Sequence, residues 1–81
     1  MKLVEAESFM PVSELMVQSK LSELENEFKS QGHQVKRKAL GIVVLKLADG
    51  EVHFVPGNGE IRRLIFQSSE HSKGGEQIGK A

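Results

Sequence analysis

Apolar residues recur along this chain with two different periods. Val17, Leu21, Leu24 and Phe28 fall at i, i+4, i+7 and i+11, which lines them up as one stripe on a helix. Met16 flanks the stripe, and Gln18, Glu23, Glu25 and Lys29 occupy mostly the other faces. Pro11 is tolerated where a helix begins, because its missing N–H is not needed there. Ser13 is the expected cap, with Glu14 placed favourably near the positive helix end. Gly32 supplies a left-handed stop. The spacing predicts a helix over residues 13–31 whose stripe packs on a sheet.

Beyond Gly41 the period changes to two. With Asp49-Gly50 as a two-residue turn, Leu47 faces Val52, Leu45 faces Phe54 and Val44 faces Val55. Side chains alternate faces along a strand. Leu45, Leu47, Val52 and Phe54 then share one uniformly apolar face, which reads as core. Val44, Lys46, His53 and Val55 share the other, with Ile42 beyond Val44. A slip of one residue would mix Lys46 and His53 into the core. The second face is polar near the turn and apolar away from it, and its apolar part needs a cover.

The remaining segments complete a fold. Residues 34–41 read as the start of one long strand, bent at a bulge near Leu40-Gly41; a separate strand joined by a tight turn is the alternative. Pro56-Gly57-Asn58-Gly59 is a loop by composition. The Ile, Leu, Ile, Phe content of residues 60–67 favours a strand, with Leu64 and Phe66 on one side and Ile61 and Ile65 on the other, although Ile61, Leu64 and Ile65 also match helical spacing. Residues 1–12 form an N-terminal arm or short strand, residues 13–66 a single domain, and residues 67–81 a flexible polar tail. The expected fold is α+β in two layers: one amphipathic helix on an antiparallel meander of three strands. In outline this order of helix, glycine, polar strand and apolar hairpin resembles small toxin–antitoxin and double-stranded-RNA-binding folds. No motif in the chain names a family.

Composition narrows the chemistry. Eleven Lys and Arg balance eleven Asp and Glu over 81 residues, so net charge announces no partner. Cysteine is absent, which removes disulfides, thiol catalysis and thiolate metal sites and fits a reducing, cytoplasmic setting. No apolar run approaches the roughly 18 residues of a membrane span. His33, His53 and His71 stand too far apart in sequence for a metal-ligand motif. No serine sits in a Gly-flanked nucleophile turn. Gly57-Asn58-Gly59 reads as a turn and not as a phosphate cradle, because Glu60 would repel an anion there. No cofactor, metal or catalytic residue is expected.

Two surfaces remain. Ile42, Val44, Val55 and Ile65 are the expected protein contact, since sheltered apolar patches on small domains often mark partner sites. An ordered core this small is marginal alone, which favours a homodimer. Lys36, Arg37, Lys38, Arg62 and Arg63 form the main basic concentration and are the expected contacts if the partner is a nucleic acid. The sequence therefore points to a small non-enzymatic accessory or regulatory protein acting by protein binding, with nucleic-acid binding as the second reading.

Overall fold

The computed structural model describes residues 1–68. The order is β1 (Lys2–Pro11), α1 (Val17–Ser30), β2 (Val35–Arg37), a 3-10 turn (Ala39–Gly41), β3 (Val43–Leu47), β4 (Gly50–Pro56) and β5 (Glu60–Gln67). The strands make one antiparallel sheet in the order β1-β5-β4-β3-β2. β1 and β2 are thus the two edges, and α1 links them across one face. Among the described residues the α+β class and the one α-helix agree with expectation, but the sheet has five strands instead of three.

Both extra strands come from segments whose pattern is weak. Residues 2–11 are mostly exposed, so their alternation carries little apolar signal, yet they pair along the whole of β5. The other strand arises because the expected bulge at Leu40-Gly41 is a chain reversal. Leu40 and Gly41 take positive φ in succession, 66° and 83°, and β2 folds back antiparallel on β3. This is the tight-turn alternative. Gly41 lies against the Gln18 side-chain amide, whose Nε2 donates to the Leu40 carbonyl at 3.0 Å and fastens the reversal to the helix.

The helix is shorter at its start than expected. Pro11 closes β1, and the Val12 N–H donates to the Gly59 carbonyl at 3.0 Å, which holds the chain to the sheet. Residues 13–16 then turn, with the Met16 N–H donating to Ser13 O at 2.9 Å. Met16, with no side-chain cap, stands where Ser13 was expected. The far end is as predicted. Gly32 has φ 92°, its N–H donates to Lys29 O, and the His33 N–H donates to Phe28 O. That pair of bonds is the glycine-terminated stop of a Schellman motif.

The hairpin keeps its faces but not its register. Leu45 pairs with Val52, Val43 with Phe54 and Leu47 with Gly50, so Ala48 and Asp49 form the turn. Neither has positive φ, which rules out the type I′ geometry that Asp-Gly suggested. Gly50 is instead required in the strand, where a Cβ would meet Phe66 O at 2.1 Å. The error is two residues, so every side chain stays on its expected face. Leu45, Val52 and Phe54 are buried; Val43 joins them, and Leu47 is 45% exposed.

The core lies between α1 and the sheet. Val17, Leu21 and Leu24 of the stripe meet Val43, Leu45, Val52, Phe54 and Ile61, with Val12 closing one end. Phe54 carries Phe28 of the helix stacked at 5.4 Å and Phe9 of β1 edge-on at 5.0 Å. One side chain thus ties helix, sheet centre and sheet edge together. Arg37 faces the same side from β2, donating to Glu25 Oε1 at 2.7 Å and Ser22 Oγ at 3.3 Å.

Candidate functional site

The pairing registers define what stands on the face opposite α1. Lys36, Val44, His53, Leu64 and Ala6 lie in one row across the strands; Lys46, Glu51, Phe66 and Leu3 lie in the next. Val55, Arg62 and Ser8 form a third row. Among the described residues, no helix or further strand lies over this face. Leu64, Phe66 and Val55 are half-buried, and Leu3 is 48% exposed. Val44, between Lys36 and His53 in its row, is 1% exposed.

A polar cluster lies beside these apolar side chains, at the hairpin-turn end of the face. Lys46 Nζ donates to Glu51 Oε2 at 2.7 Å, and His53 Nε2 lies 2.9 Å from Glu51 Oε1. These bonds, from Lys46 first and His53 second, pull the Glu51 carboxyl from 4.5 to about 2. The His53 ring leans on Phe66 at 4.6 Å. The group combines carboxylate, ammonium and imidazole, but on an open sheet. The described residues enclose no pocket, so nothing here holds a substrate away from water. The described residues also contain no cluster of metal-ligating side chains.

The expected contact residues divide between the two faces. Val44 and Val55 lie on the open face, and Ile42 is half-buried just before β3. Ile65 pairs with Val52 on the helix side and packs against the core. Leu64 and Phe66, its neighbours on β5, take the open-face positions. Their alternation with Ile61 and Ile65 was visible in sequence, but which set faced the helix was not.

The basic residues are dispersed too. Arg37 is held by Glu25 under the helix. Arg63 lies on the helix side, ion-paired with Glu7 and 5.8 Å over the Phe9 ring; its Nε is buried without a hydrogen-bond partner. Arg62 is on the open face, 3.2 Å from Glu60. The Glu60 carboxyl is lowered by its hydrogen bonds to Ser8 and Arg62. Lys36 and Lys38 are exposed, with no ion pair among the described residues. They stand on or beside the edge strand β2, three strands away from Arg62.

No helix among the described residues is long and apolar enough to cross a membrane. Residues 69–81, most of the expected tail, lie outside the described residues. Compared with family models, curated proteins and solved structures, the chain matches none.

Proposed function

We propose that this is a small non-enzymatic accessory or regulatory protein that works as a homodimer and binds another protein through the open face of its sheet. The observation that carries the reading is the set of apolar residues Val55, Leu64, Phe66 and Leu3 on the face that α1 does not cover. Apolar side chains gathered on one sheet face gain free energy when a partner excludes water from them, at roughly 25 cal/mol per Å². The Lys46–Glu51–His53 cluster supplies orientation within that surface, because a partner must satisfy it or leave it wet.

Comparative capture from the native host tests this. Val55→Asp and Leu64→Asp should each lose proteins that the wild type retains, while Glu27→Lys, on the exposed helix surface, should keep them. Circular dichroism must show all three folded. If the open-face variants retain the same partners as the wild type, the reading fails. The second reading rests on Lys36 and Lys38, whose ammonium groups are exposed, with Arg37, Arg62 and Arg63 already held by carboxylates. It requires a nucleic-acid complex at low salt that weakens steeply as salt is added, and no gel shift at low salt ends it.

A further inference from the structure

The sheet has two edges of very different kind. β2 offers three residues to a neighbour, which is a common way to keep an edge from pairing. β1 offers ten, more than any other strand has. Its far side is a row of backbone N–H and C=O groups with no strand against it among the described residues. Leu3 and Val4 on this edge are 48% and 46% exposed.

The charges of β1 restrict how a second copy could pair with it. Glu5 and Glu7 both lie on the helix side, opposite Ile65 and Arg63. Antiparallel registers centred on Glu5, Ala6 or Glu7 set glutamate against glutamate, which is unfavourable for directly opposed side chains. Sliding the register toward Lys2 removes that conflict. The β1 register shift between Leu3 and Glu5 matters here. It places two residues, Val4 and Glu5, between the open-face residues Leu3 and Ala6. A two-fold axis between Val4 and Glu5 therefore matches bulge to bulge and keeps each pair on a common face.

We propose that β1 pairs antiparallel with β1 of a second copy about that axis, with Lys2 opposite Glu7 and Leu3 opposite Ala6. Lys2 then also has Glu5 of the second copy as its diagonal neighbour. The five-stranded sheet doubles, and Leu3, Ala6, Leu64 and Phe66 of both copies join into one apolar band. The proposal rests on the homodimer named above and assigns its surface; it does not depend on what the open face binds.

The chain has no cysteine, so a register test is clean. Leu3→Cys and Ala6→Cys are made as separate proteins of different tag length, mixed and oxidised. Opposed pairs have Cβ atoms about 5 Å apart, whereas Leu3 and Leu3, or Ala6 and Ala6, would stand about three residues out of register. The mixed crosslink should exceed either like-with-like crosslink severalfold. Light scattering should show the wild type dimeric at high micromolar concentration. Lys2→Glu should weaken the dimer about tenfold through its two opposed pairs, and added salt should recover part of the loss. A wild-type monomer at that concentration overturns both the edge pairing and the homodimer, while open-face binding is judged separately by the capture experiment. A dimer whose mixed crosslink is no stronger than the like-with-like ones overturns the edge pairing only.

Discussion

Leu40 is the one non-glycine residue with positive φ among the described residues, and it is 77% exposed. A bulky residue in the left-handed region costs roughly 1–2 kcal/mol, and little packing offsets that here. Leu40→Asn should therefore raise stability by about 0.5–1 kcal/mol in urea unfolding, since asparagine tolerates this region. Gly50 is the opposite case, because any Cβ there strikes the Phe66 carbonyl. Gly50→Ala should cost about 2 kcal/mol through forced backbone movement. Glu51 sets a pH dependence. Its folded carboxyl titrates near 2 against an ordinary 4.5. Its contribution is present above about 4.5 and is lost as pH falls through about 2. Acid titration of stability should show that loss, and Glu51→Gln should flatten it.

At the level of elements, stability rests on how α1 and the strands hold each other. Leu21 is fully buried at the centre of the stripe, and Leu21→Ala should cost about 2–5 kcal/mol, a large share of a small domain's stability. β2 depends on the helix through Arg37. Arg37→Met should speed amide exchange in β2 while β4 and β5 stay protected, because their ladders are independent of that contact. These elements differ in how well the sequence announced them. The helix stripe and the hairpin faces were legible because their apolar residues bury one side only, and periodicity reports that directly. β1 was faint because an edge strand buries few side chains. The reversal at Leu40-Gly41 was hidden because leucine seldom takes positive φ, so the sequence there argues for a continuing strand. The hairpin register was displaced because Gly50 is demanded by β5, a neighbour distant in sequence, and not by the turn beside it. The same limit applied to Ile65: alternation sorted β5 into two sets but could not say which one the helix covers.

At the scale of the whole molecule, the described residues form two layers, with α1 over one face of the sheet and neither helix nor strand over the other. α1 and the aromatic tie of Phe9, Phe28 and Phe54 close one side. The other side presents Val55, Leu64 and Phe66 beside the Lys46–Glu51–His53 cluster. The basic residues, two short groups in sequence, are divided by the fold between two faces and several carboxylate partners. That division weakens a continuous phosphate-binding stripe and leaves the open face as the larger coherent surface. Side-chain footprinting of the tagged protein, in native host lysate and in buffer, probes that face directly. Val55, Leu64 and Phe66 should become protected in lysate while Leu15, 95% exposed in the turn before α1, stays labelled. Equal labelling of the three open-face residues in lysate and in buffer would contradict binding through that face.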